Sequence, residues 1–161
     1  MSIGTVGDAN NITAPAKATS LTPDEQYSYM SLWSLMASPL FFSGDMAKLD
    51  DFTLSILCNS EVIDVDQDSI GKQGKIIRKT SLELVLAKPL EDGSVAVGLF
   101  NLSKSPRTVS VDWRELEKRG RLTVRDLWRQ RDLGKFEDRF VSTVPSHGVV
   151  LIRIETPHKR P

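Results

Sequence analysis

Apolar and polar positions follow two textures along the chain, and the change falls near Ile70 to Gly74. Before it, LTPDEQYSYMSLWSLMASP carries Tyr29, Trp33, Met36 and Ala37 at helical intervals, with Leu32 filling the stripe. Thr22 suits the N-cap and Pro23 the first helical position, while Glu25 completes a capping box. Pro39 closes the segment. The pattern predicts a helix over 22–38 packed on a sheet, with Trp33 in the core. LFFS, residues 40–43, is a short apolar run that reads as a strand, and Gly44-Asp45 reads as its turn. Asp50 then caps a helix running to about Asn59 that presents Phe52, Ile56 and Leu57.

After the change, short runs of β-formers alternate with turn residues: KIIRK, LELVLAK, SVAVGLFNL, RTVSVDW, LTVRDLW, GKFEDRFVSTV and GVVLIRI. EDGS, SKSP and PSHG supply the turn chemistry between them. This spacing predicts an antiparallel sandwich of about seven or eight strands, interrupted by one helical turn in WRELEKRG, whose charges read as a solvated face. The first twenty residues, rich in Gly, Ala, Asn, Ser and Thr, read as a lead-in loop, with MSIG as a candidate last turn of a strand. The fold class is α+β, with a first unit over 1–72 and a β-sandwich over 73–161.

Composition narrows the function classes. Lys plus Arg equal Asp plus Glu at 21 each, so the chain has no overall charge to attract nucleic acid or an anionic membrane. A single cysteine, Cys58, leaves no partner for an intramolecular disulfide and no multi-cysteine zinc site, and two histidines leave little for a histidine-based metal cluster. Neither a run of about 18 apolar residues nor a signal-like start at Met1 is present, although an upstream segment could carry an export signal. No cofactor is expected.

The words SLW, ASPL, a Gly-Asp turn, EVI, QD and GKQG occur in order between Leu21 and Gly74. In that order they resemble the end of the catalytic barrel in glycoside hydrolase family 27, the alpha-galactosidase and alpha-N-acetylgalactosaminidase family. The strands from 75 to 155 match the family's C-terminal domain in position and pattern. The resemblance implies the last βα units of an incomplete (β/α)8 barrel followed by an antiparallel β-sandwich, with SPLFFSGDM as the eighth barrel strand and MSIG just after the paired aspartates of the seventh. Where the family reads N-Q-D-P-L-G, this chain has Asp66, Gln67, Asp68, Ser69, Ile70 and Gly71, losing a turn proline.

Family members are retaining glycosidases in which one aspartate attacks the anomeric carbon and a second acts as acid and base, about 5 Å apart. By resemblance both lie upstream of Met1, so no catalytic residue is assigned here and the chain alone is expected not to hydrolyse glycosides. In a complete enzyme the partner is a terminal α-linked galactoside, and the missing barrel segment is a candidate partner of the chain itself. Two substrate-facing candidates follow. Asp45 stands just after a barrel strand, at the face where barrel enzymes carry their chemistry, although Gly44 beside it equally suits a capping or turn carboxylate. Met1 matches a residue bordering the sugar pocket.

Other constellations are weaker. Asp64, Asp66 and Asp68 imitate a calcium loop, but Ser69 and Lys75 stand where Gly and Glu are required. Trp113 and Trp128 offer flat faces for sugar rings, with core or rim packing as the simpler role. His147 lies in a turn with no nucleophile beside it, and Cys58 reads as a small buried residue. Asn11-Ile12-Thr13 and Asn101-Leu102-Ser103 fit the glycosylation sequon. The rival to the hydrolase reading is a stand-alone sandwich with a carbohydrate-binding or structural role.

Overall fold

The computed structural model describes residues 3–7 and 17–155. Its centre is strand β5 (Val95–Asn101), buried along its entire length. Because successive side chains of a strand point to opposite faces, Val95, Val97 and Leu99 enter one core while Ala96 and Phe100 enter another. The protein therefore has three layers, helices on one side of a sheet and a small sheet on the other.

Numbering in chain order, β1 (Thr5–Val6) and β2 (Lys17–Ala18) form a short antiparallel pair. Strands β3 (Lys75–Lys79), β4 (Glu83–Pro89), β7 (Arg121–Asp126), β8 (Arg131–Glu137) and β10 (Val149–Glu155) join β5 in a six-stranded sheet of order β3-β4-β5-β10-β7-β8. Strands β6 (Arg107–Asp112) and β9 (Arg139–Val144) make the opposing two-stranded sheet. The strand pairs are antiparallel, as the turn-separated runs predict. The run GKFEDRFVSTV is two strands, β8 and β9, parted at Asp138. Its φ of 62° is a left-handed kink that carries the chain from one sheet to the other. WREL forms a single 3-10 turn whose Trp113 fills the sandwich core.

Helices α1 (Pro23–Leu35), α2 (Asp51–Leu57) and α3 (Ser60–Asp66) cover the other face of the large sheet. The expected capping box forms: Thr22 Oγ1 accepts from the Glu25 N–H at 3.3 Å, and Glu25 Oε2 accepts from the Thr22 N–H at 2.8 Å. Asp50 caps α2, accepting from the Thr53 N–H at 2.6 Å.

Three expectations fail here. The helix ends at Leu35, and its buried side is Gln26, Met30, Ser31, Ser34 and Leu35, whereas Trp33 is only partly buried and Met36 is 45% exposed. Apolar residues lie on more than one side of α1, so the stripe alone could not say which side meets the sheet. Small Ser31 and Ser34 let the helix approach closely, and Gly98 beneath leaves room for Leu35: a Cβ there would lie 2.6 Å from Leu35 Cδ1. Residues 40–43 are not a strand. Among the described residues the segment's ladder contact is a bridge from the adjoining Gly44 to Val6 of β1, and Phe41 is 76% exposed. Finally, the helix expected to run to about Asn59 ends at Leu57, and a further helix follows it. Asn59 starts α3 by accepting from the Val62 N–H at 3.1 Å.

Candidate functional site

Asp45 sits where two chain segments converge. Its backbone N–H donates to Thr5 O at 3.2 Å, and Gly44 bridges Val6. A Cβ on Gly44 would lie 2.5 Å from Thr5 O, so this approach of two backbones requires glycine. Gly4, at φ +67°, donates its N–H to Gln26 Oε1 at 3.1 Å, and Ile3 is fully buried. The structure thus brings together the beginning of the chain and the Gly44-Asp45 turn over the first half of α1. Asp45 caps the 3-10 turn Met46–Lys48, accepting from the Ala47 N–H at 3.0 Å, and pairs with Lys48 at 3.5 Å. Met1 lies outside the described residues, as does the Asn11 sequon.

Below this turn opens an apolar groove of about 370 Å³, lined by Met30, Leu40, Phe42, Met46, Leu54 and Ile63 among others. Met46 in this lining is 70% accessible, and Phe41, between the lining residues Leu40 and Phe42, is 76% accessible. A contiguous apolar surface of this kind marks an interaction site.

A second cleft, of about 420 Å³, lies between the start of α1 and the open end of the sandwich. Tyr27 and Trp128 form part of its wall, with Asp24, Arg129 and Arg131 at its edge. Trp128 donates its indole N–H to Ser31 Oγ at 2.9 Å, so it packs against α1. Trp113 is 1% exposed and donates to Phe136 O at 3.2 Å, which leaves no face for a sugar.

The helical layer is tied to the sheet by a buried cation that sequence reasoning passed over. Lys88, fully buried on the helix-facing side of β4, donates from Nζ to Ser34 O at 3.4 Å, to Asp66 O at 3.3 Å and to Val65 O. Its three protons meet carbonyls at the C-termini of α1 and α3, where helix dipoles favour positive charge. Burial pushes the ammonium below the usual lysine range, partly opposed by the Asp66 carboxylate. Asp66 is itself pushed above the usual carboxylate range by burial, with Lys88 opposing, and its Oδ1 has no hydrogen-bond partner. The sequence signal was a lysine at an inward position of LELVLAK.

Two asparagines were also missed as structural hubs. Asn59 Nδ2 donates to Leu127 O at 3.1 Å and Trp128 O at 3.3 Å, locking α3 to the end of β7. Asn101, 1% exposed, donates to Ser105, Val144 and Pro145 carbonyls at 2.8, 3.1 and 2.9 Å. In the folded chain its amide is therefore engaged and unavailable to carry a glycan. Arg125 on β7 grips Glu61 on α3 with two hydrogen bonds of 2.9 and 2.6 Å, which holds its guanidinium in the charged form.

The remaining candidates are dispersed. Asp68 accepts the Ile70 and Glu91 N–H groups, so it closes a turn, while Asp64 is exposed. Among the described residues no group of three or more His, Cys, Asp or Glu side chains is placed to hold a metal ion. Cys58 is exposed at the edge of the apolar groove, contrary to its reading as a buried residue, because α2 ends there and turns its last residue outward. His147, at φ 52° in its turn, accepts from Ser28 Oγ at 2.7 Å through its backbone carbonyl. No described helix is long and apolar enough to cross a membrane.

Comparison with known proteins matches two stretches of the chain. Residues 12–68 match the family model described as alpha galactosidase A, and residues 84–154 match the alpha galactosidase C-terminal beta sandwich domain. The chain is 36% identical over 129 residues to an alpha-galactosidase of Cyamopsis tetragonoloba, an alignment covering 79% of this chain and 31% of that protein. It is 30% identical over 161 residues to alpha-galactosidase A of Cellvibrio japonicus, covering 92% and 39% respectively. Among solved structures, a GH27 β-L-arabinopyranosidase of Geobacillus stearothermophilus superposes with a TM-score of 0.89 at 27% identity, covering 99% of this chain and 37% of the other. Alpha-galactosidase I of Mortierella vinacea gives a TM-score of 0.81 at 27% identity, covering 83% and 36%. The chain spans about a third of the length of these relatives. With its last βα units of a (β/α)8 barrel and its antiparallel β-sandwich, the chain belongs to glycoside hydrolase family 27, the alpha-galactosidase family, and corresponds to its C-terminal part.

Proposed function

We propose that this chain supplies the barrel-closing end and the supporting sandwich of a retaining glycosidase that acts on terminal α-linked galactosides, and that by itself it does not turn over substrate. The observation that carries the reading is the apolar groove beneath Asp45. Its lining is apolar, from Met30, Leu40, Phe42, Met46 and Leu54 among others, Met46 stands 70% exposed on it, and residues 40–43 beside it are not in a strand. A preceding barrel segment would pair that segment on both sides and cover the groove. In this reading residues 1–72 are the barrel's end, residues 73–161 the sandwich, and Asp45 and Met1 face the sugar pocket once the barrel closes. The paired aspartates of the retaining mechanism come with the preceding segment. A β-L-arabinopyranosidase relative binds arabinose, and this sugar in its pyranose form shares the ring configuration of galactose, which supports a galacto-configured substrate.

The test is co-expression with the preceding barrel segment of a relative, assayed on a chromogenic α-galactoside. The expected result is no turnover by the chain alone, stable co-purification of the two pieces, and hydrolysis by the assembled pair. Turnover by the isolated chain, or a pair that never co-purifies, overturns the reading.

A further inference from the structure

The cleft between the start of α1 and the sandwich shares no lining residue with the groove beneath Asp45. Its volume of about 420 Å³ lies in the range of small-molecule sites. Its aromatic wall is held in place before any ligand arrives. Tyr27 and Trp128 meet edge to face with centroids 4.7 Å apart, Phe52 braces Tyr27 from 5.6 Å, and the Trp128 indole N–H is engaged by Ser31. Little side-chain freedom remains to be lost on binding, which favours even a small ligand.

The polar groups at the cleft divide into used and unused. Asp126 is buried and accepts from the Arg129 backbone N–H at 3.0 Å and its guanidinium at 2.9 Å, so this pair is internally satisfied. Asp24 and Arg131 also line the cleft, and neither side chain has a hydrogen-bond or ion-pair partner among the described residues. One free carboxylate and one free guanidinium leave the cleft without net charge. A phosphate or a carboxylate ligand would call for an excess of cations, and an acyl chain for a lining free of charges. A neutral ring with hydroxyls at its edge and C–H groups on its face suits all three features.

We propose that this cleft binds a neutral pyranoside, its C–H face against Tyr27 and Trp128, its hydroxyls donating to Asp24 and accepting from Arg131. The site is built wholly from residues of this chain, so it stands or falls separately from hydrolysis by an assembled barrel.

The experiment is an NMR titration of the full chain with methyl α-D-galactopyranoside and, in parallel, methyl α-D-glucopyranoside, following the indole N–H resonances. A saturable shift of the Trp128 indole is expected at millimolar sugar, while the Trp113 indole, sealed in the sandwich core, stays in place. Asp24→Ala and Arg131→Ala each weaken binding about tenfold, as expected when a hydrogen bond to a charged group is lost, with circular dichroism unchanged. A stronger response to the galactoside, or equal responses to both sugars, supports the site. The absence of a saturable Trp128 shift with either sugar, or a shift that persists undiminished in both variants, overturns it.

Discussion

Lys88 shows how one side chain can join two layers. Its ammonium satisfies the carbonyls of Val65 and Asp66, which have lost their intrahelical partners at the end of α3. Lys88→Met keeps an unbranched side chain, one atom shorter, and removes the donor. Leaving those carbonyls unpaired in a buried site costs about 1–3 kcal/mol, read as a lower urea midpoint. The neighbouring Asp66 makes a pH-dependent prediction. Burial raises its folded pKa above the usual aspartate value, so the folded state holds the proton more tightly than the unfolded chain does. Its contribution to stability is therefore full below that value and lost as pH rises through the folded pKa. Asp66→Asn, which cannot ionise, is expected to match the wild type near about pH 3 and to have the higher urea midpoint near about pH 7. A lower midpoint at neutral pH would show that attraction to Lys88 outweighs the cost of burying the carboxylate.

At the scale of elements, the two halves were unequally legible in sequence. The strands from β3 to β10 could be located because each is a short β-forming run bounded by Gly, Pro, Ser or Asp, and the capping box of α1 is a local signal contained in Thr22 and Glu25. What was not legible depends on neighbours distant in sequence. The buried face of α1 is chosen by Gly98, more than sixty residues away, and by Ser31 and Ser34, whose small size matters only once the sheet is beneath them. LFFS has the composition of a strand but is not in one, because a strand requires a partner strand and composition cannot supply it. Asp45 was placed correctly at a turn by Gly44, while its caps and its approach to Thr5 needed the fold. The close packing of α1 on β5 can be tested directly. In Gly98→Ala the new methyl group would meet both Leu35 and the Phe100 ring within 2.6 Å. The better strand propensity of alanine offsets part of the strain, so a net loss of about 1–2 kcal/mol is expected in chemical denaturation. No loss would mean that Leu35 can withdraw, and that α1 is held by Lys88 and by the Trp128–Ser31 hydrogen bond rather than by this contact.

For the whole molecule, the decisive contrast lies between apolar surface already buried and apolar surface awaiting a partner. Leu86 is 5% exposed between sheet and helices, whereas Phe41, in the segment whose Leu40 and Phe42 line the groove, is 76% exposed. Substitution separates the two. Leu86→Ala removes contacts the chain already makes and should cost about 2–5 kcal/mol whether or not a barrel segment is present. Phe41→Ser removes little from the isolated chain, whose stability should stay within about 0.5 kcal/mol of wild type, as for other surface changes. Paired with the preceding barrel segment, the same Phe41→Ser is expected to weaken co-purification strongly, since burying the ring is worth about 1.5–3 kcal/mol. Dye binding gives an independent reading: the isolated chain should bind a fluorescent apolar probe, and the assembled pair should release it. If Phe41→Ser destabilises the isolated chain as much as Leu86→Ala does, Phe41 is already packed in solution and its segment awaits no partner. A neutral effect alone and a large effect in the pair, by contrast, would place the segment around Phe41 at the seam between this chain and the rest of its barrel.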